Sequence, residues 1–221
     1  TFNDPSSEWN SCTISHNTVM VDNVNQNRDY QVHFPYIQDD SDYVSVMGVE
    51  TKDVYYQCEE YKRTVVMVKV DDDNSYVVDF FRVLGGYTHA YSFHAQSQGA
   101  MPLNGLDVEM QLDESGKFVG TLAGPEIEKG QSGSFPSNYN WLTKVRQDTD
   151  MDGNQFTVNF KITDYGSTIA NNANINLKMT QITNFIPDRV AIAGGHVPQK
   201  TEHKPILEET DTLEYVITER Q

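Results

Sequence analysis

Positive charge is scarce in this 221-residue sequence: 16 Lys and Arg stand against 32 Asp and Glu, a formal charge of −16. Nucleic acid is gripped by clustered Lys and Arg, so this balance argues against a nucleic-acid partner and against an anionic lipid surface. It also slows a polyanionic substrate unless a local basic cleft overrides the global field. Cysteine is scarcer still. Cys12 and Cys58 are too few for a disulfide framework and lack CxxC spacing, which leaves open one bond between them or two buried thiols. No apolar run reaches the roughly 18 residues of a membrane-spanning helix. No stretch of about 11 residues carries a 3.6-residue apolar period, so long amphipathic helices are not expected. The first residues show neither the basic nor the apolar segment of a leader, as in a mature secreted chain or a piece of a longer one. GxSxG, Walker, HExxH and dinucleotide signatures are missing.

Period-2 alternation is abundant. Phe156, Val158, Phe160 and Ile162 alternate with polar residues, as do Ile175, Leu177 and Met179, and Leu106, Val108, Met110 and Leu112. Same-parity residues share a strand face, so the first two sets are expected to be buried. Tyr43–Val49 and Leu213–Thr218 also read as strands, and the denser runs Thr64–Val70 and Tyr76–Phe81 suit central strands. Asp71–Asn74, Asp113–Gly116 and Asp152–Gly153 read as hairpin turns. Gly124–Tyr139 reads as a long surface loop. Gly194–Thr212, with His196, Pro198, His203 and Pro205, reads as an exposed connector. The expected architecture is all-β, a large antiparallel sandwich in which 1–221 form a single domain.

Three segments carry residue types suited to chemistry. His16 stands at the mouth of an alternating strand (Val19, Val21), a stiff mount for a metal ligand or catalytic imidazole, or simply a polar loop His. Gly85 to His94 holds Tyr87, His89, Tyr91 and His94, suited to a sugar-facing surface. The odd spacing of His89 and His94 sends them to opposite faces of a regular strand, which disfavours one shared metal. Asp148, Asp150 and Asp152 open like a calcium loop, but Asn159 stands where an EF-hand needs Glu. A solvated Asp-Gly hairpin turn is the expected reading there.

Ser15, His16, Asn17, Thr18 and Val19 with Val21 and Asp22, then Arg63 to Val66, then Tyr76 to Val83 with Gly85, Gly86 and His89, run in the order found in heparinase II/III-like proteins. Over roughly Ser15 to His94 the chain resembles that family of polysaccharide lyases, which act on uronic-acid polymers such as heparan, chondroitin and alginate. The related uronyl epimerases share the resemblance. It implies an amino-terminal helical toroid followed by a β super-sandwich of the galactose-mutarotase-like type, of which this chain supplies the sandwich. It implies a bacterial periplasmic or extracellular setting and an acidic polysaccharide or oligosaccharide partner, bound with the toroid of the same protein. It also implies a zinc ion whose last ligand matches His16. Asn17, Tyr87 and His89 are the candidate substrate-binding residues of this sequence. The earlier ligands, a His-x-His and an Asp-x-Gly, have no counterpart in Thr1–Ile14. Nor do the toroid's catalytic residues, so this chain alone is expected to bind zinc weakly and to be inactive. A non-catalytic carbohydrate-binding or structural sandwich is the alternative from a different functional class.

Overall fold

The structure is a computed structural model that describes residues 5–28, 34–51, 53–97, 99–130, 134–162, 174–196 and 212–221. Its strands are β1 (Thr18–Val21), β2 (Phe34–Asp40), β3 (Val44–Glu50), β4 (Cys58–Lys69), β5 (Ser75–Gly85), β6 (His89–His94), β7 (Ala100–Asn104), β8 (Glu109–Met110), β9 (Thr143–Asp148), β10 (Gln155–Lys161), β11 (Asn176–Ile182), β12 (Arg189–His196) and β13 (Thr212–Arg220). One five-residue helix and two 3-10 turns are the helical elements among the described residues. The fold is an all-β antiparallel sandwich. Contacts divide the chain into two compact units, Thr1–Asn25 with Thr88–Gln221, and Gln26–Tyr87.

In the first unit a six-stranded sheet, β1-β6-β13-β12-β9-β8, is accompanied by a three-stranded sheet, β11-β10-β7. Ala100, Phe156, Val158 and Phe160 of the smaller sheet pack against Val190, Ile192 and Val216 of the larger. Residues of opposite parity, Ala191, Ala193, Tyr215 and Ile217, face the other way, against Trp9, Ile14, Met20, Leu122 and Leu142. The central strands therefore bury both faces, which is why Val190–Ala193 and Tyr215–Ile217 read as unbroken apolar runs rather than alternating ones. Each aliphatic side chain so buried contributes about 1.5–3 kcal/mol.

Phe156, Val158 and Phe160 occupy the expected face, with Ile162 partly buried against the same cluster, while Lys161 is exposed. Thr157 is buried too, its hydroxyl bonded to that of Thr180. The partner strand departs from expectation: Met179 packs on the core, but Ile175 and Leu177 are exposed. Among the described residues β11 is the sheet's edge, so a side chain pointing inward there still meets solvent on one side. Leu106–Leu112 shortens to the two-residue strand β8, with Met110 and Leu112 exposed, because β8 also lies at an edge. Asp152 and Gly153 do not close a hairpin; they lie between β9 and β10, which belong to different sheets. Gly194–His196 extend β12 rather than opening a connector. The rest of that segment, with Pro198, His203 and Pro205, lies outside the described residues.

Of the Gly124–Tyr139 loop, the described residues 124–130 and 134–137 are irregular, and a 3-10 turn, Asn138–Trp141, follows. Ser137 Oγ accepts from the Tyr139 N–H, and Asn140 Oδ1 accepts from the Ser137 N–H, a capping box. This end of the loop is not a surface feature: Asn140 is buried, and Tyr139 and Trp141 pack on the Trp9 cluster.

The second unit is one antiparallel meander, β2-β3-β4-β5. Asp71 closes the β4–β5 hairpin by accepting from the backbone N–H groups of Asp73 and Asn74 and from the Asn74 side chain, which holds its carboxyl below the usual range. Tyr61 is buried beside Tyr55 and Phe81, and Arg63 lies over the Phe81 ring. β4 is central, as its composition suggests. β5 is not: it is the edge among the described residues, and Met67, Val77 and Phe80 are at least half exposed.

Candidate functional site

The site grows from the turn Thr13–Ser15, which is wholly buried. Ser92 Oγ of β6 donates to the Ile14 carbonyl at 2.7 Å and pins the turn to the sheet. His16 follows with extended backbone, and its ring is exposed with Nε2 2.9 Å from the Asn10 carbonyl oxygen. A carbonyl oxygen only accepts, so Nε2 carries the proton and Nδ1 keeps the lone pair. This is the geometry of an imidazole whose tautomer is fixed from behind and whose other nitrogen can accept a proton or a metal.

Asn17 pairs reciprocally with the backbone of His94: its Nδ2 donates to the carbonyl at 3.1 Å and its Oδ1 accepts from the N–H at 2.8 Å. The side chain thus extends the β1–β6 ladder, whose register begins at Thr18 and Ser92. Its amide is committed to the scaffold, which positions His94 behind His16. The His94 ring stacks on Tyr215, its neighbour across the β6–β13 ladder, with centroids 4.4 Å apart. Its Nδ1 is buried without a hydrogen-bond partner. Burial, and then the charge of His16, lower its pKa to about 4. Tyr215 meets the edge of Trp9 at 5.3 Å, and burial pushes its phenol up to about 12. Gly195 makes this cluster possible, because a Cβ there would overlap the Tyr215 ring and come within 2.8 Å of Trp9.

His89 and His94 do point to opposite faces: His94 shares parity with Ala90 of the Trp9 cluster, and His89 with Phe93, which packs against Phe160. Tyr87 is 90% exposed and belongs to the second unit, whereas His89 is half-buried in the first. Asp22 and Thr88 exchange bonds of 2.8 and 2.9 Å where the chain leaves and re-enters the first unit. In the second unit the Arg63 guanidinium grips Asp79 with two bonds, of 2.9 and 2.8 Å. The buried carboxylate of Asp148 accepts from the Asp107 and Asp150 N–H groups, shaping the turn, while Asp150 and Asp152 are exposed. Cys12 and Cys58 are buried thiols directed at the carbonyls of Glu8 and Gly85.

Sequence reasoning missed Tyr215 and Trp9, which complete the His94 environment. It also missed a largely buried ion pair, Arg146 to Glu214 at 2.6 Å, whose members both bond the backbone of Ala100. Nothing in local spacing links residues this far apart; only the sheet order does. Among the described residues no group of three His, Cys, Asp or Glu is placed to hold a metal. No helix among them is long and apolar enough to cross a membrane. No protein-family model matches the chain, and no curated protein matches it.

Proposed function

We propose that this chain is the β-sandwich portion of a heparinase II/III-like polysaccharide lyase, acting in the periplasm or outside the cell on uronic-acid polymers. The observation that carries this reading is His16: an exposed imidazole with a fixed tautomer on a buried turn, at the head of the sequence set that resembles the family. β-Elimination needs a base to take the proton alpha to the uronate carboxylate. The electron pair forms the ring double bond, and the 4-linked oxygen leaves with a proton from an acid. A donor or cation must also stabilise the developing enolate. In this reading those roles fall to the toroid, and the sandwich supplies one wall of the cleft. Zinc takes three or four protein ligands, and His16 offers one nitrogen. The set is not completed among the described residues. His33, the nearest other histidine in sequence, lies outside the described residues.

A second reading, a non-catalytic carbohydrate-binding or structural sandwich, is favoured by one observation. Asn17, Asp22, Arg63 and Asp79, all in the resembling set, are committed to bonds that hold the fold. The deciding experiment offers heparan, chondroitin and alginate to the parent protein and to residues 1–221, and follows the ultraviolet absorbance of unsaturated uronates. Turnover by the parent alone supports the lyase reading. Uronate inversion without absorbance assigns an epimerase, and glycan binding without either reaction assigns the second reading. Robust turnover by 1–221 overturns the placement of the acid and base outside this chain.

A further inference from the structure

At one end of the second unit's sheet the strand register builds a cleft. Glu50 lies opposite Lys62 across β3 and β4, and Glu60 lies opposite Leu84 across β4 and β5, so these four side chains share one face. The register shifts between Cys58 and Glu60, and this bulge takes Glu59 out of the alternation. Glu50, Thr51, Glu59, Glu60, Lys62 and Leu84 line the resulting space of about 400 Å³. Its charges are unevenly matched. Lys62 Nζ sits 3.1 Å from Glu50 Oε2 and 2.7 Å from Glu60 Oε1, and Arg82 Nε sits 2.6 Å from Glu60 Oε2. Both oxygens of Glu60 are thus committed within the fold. Three carboxylates against two cations leave one negative charge, on the side of Glu50 and Glu59.

Thr51 supplies a second, independent observation. It is 6% exposed, and its N–H donates to the Tyr61 carbonyl at 3.1 Å, but its buried hydroxyl has no hydrogen-bond partner. A buried hydroxyl left unpaired costs the fold stability, and valine would fill the same shape without that cost. We propose that this cleft binds a small organic ammonium ion, a primary amine carrying an apolar body. The three N–H groups of such an ion match three acceptors on the wall, Glu50 Oε1, the Glu59 carboxylate and Thr51 Oγ1. Leu84, 52% exposed, offers an apolar surface to the body. The unmatched negative charge selects a cation and repels an acidic polymer. Among the described residues no group of three His, Cys, Asp or Glu is placed to hold a metal, which favours an organic cation over an inorganic one. The cleft lies wholly within the second unit and does not involve His16.

Calorimetric titration of the 221-residue chain with cyclohexylamine tests this, with cyclohexanol as a neutral probe of the same shape. The amine is expected to saturate one site, and the alcohol to bind at least about 10-fold more weakly, because the charge-assisted bonds are lost. Glu50→Gln should weaken the amine about 10-fold. Glu59→Gln, at an exposed position where folding is not at stake, should weaken it about two- to fivefold. Thr51→Val should weaken the amine while leaving the free protein at least as stable, a combination that a purely structural threonine would not give. Asp42→Asn, exposed between β2 and β3, should change nothing, which separates the site from general attraction by a chain of charge −16. Failure to saturate, equal binding of the alcohol, or indifference to Glu50→Gln and Glu59→Gln overturns the proposal. So does unchanged binding in Thr51→Val, an equal loss in Asp42→Asn, or magnesium ion bound as tightly as the amine.

Discussion

His94 and Tyr215 sit directly opposite each other on β6 and β13 and stack at 4.4 Å, with their planes 26° apart. The contact removes one face of the imidazole from water and leaves Nδ1 buried without a partner. The neutral ring is the form this pocket tolerates, because a buried charge without a counter-ion is costly.

Stability should therefore fall as the solution is acidified. His94 has a folded pKa of about 4 against an ordinary 6.5, so between those values the unfolded chain binds a proton that the folded one refuses. The contribution is intact above about pH 6.5 and is lost as pH drops toward 4, by at most about 3 kcal/mol. Urea unfolding at pH 7 and pH 4.5 measures the slope, and His94→Phe should flatten it. An equal slope in both proteins assigns the effect to other groups.

Gly195→Ala should be among the more damaging small substitutions. Its methyl group meets the Tyr215 ring and Trp9, and overpacking of this kind costs about 1–3 kcal/mol. Tryptophan fluorescence should shift with it as the Trp9–Tyr215 contact is displaced. Gly99→Ala, where nothing lies within 4 Å, is the control for overpacking.

Phe160→Ala and Leu177→Ala separate the centre of the small sheet from its edge. The two residues are opposite each other in register, yet Phe160 is fully buried and Leu177 is 39% exposed. A loss of about 3–5 kcal/mol is expected for the first, and under about 1 kcal/mol for the second. Equal losses in denaturant titrations would mean that β11 is covered in solution.

The Arg63–Asp79 pair should show a modest coupling. Both side chains are partly exposed, at 38% and 21%, so the bidentate geometry is worth about 0.5–1 kcal/mol in a double-mutant cycle with Arg63→Met and Asp79→Asn. A coupling near zero would leave the pair as geometry without energy.

Alternation by itself determined the strand Gln155–Lys161 and the face of Phe156, Val158 and Phe160, because a strand's period of two is a local property of the backbone. It also separated His89 from His94, since parity needs no knowledge of the partner strands. Asp71, with Asn74 three residues on, announced its hairpin for the same local reason. Sheet order was decided only by the tertiary structure. Leu177 and Phe160 carry the same alternating signal, but one lies at an edge and the other between two strands. The environment of His94 likewise joins β1, β6 and β13, strands separated by up to about two hundred residues, so no window of sequence contains it. The burial of both faces of β12 and β13, and the exposure of β5, follow from which layers cover each sheet. That is a property of non-local packing, which apolar content alone does not encode.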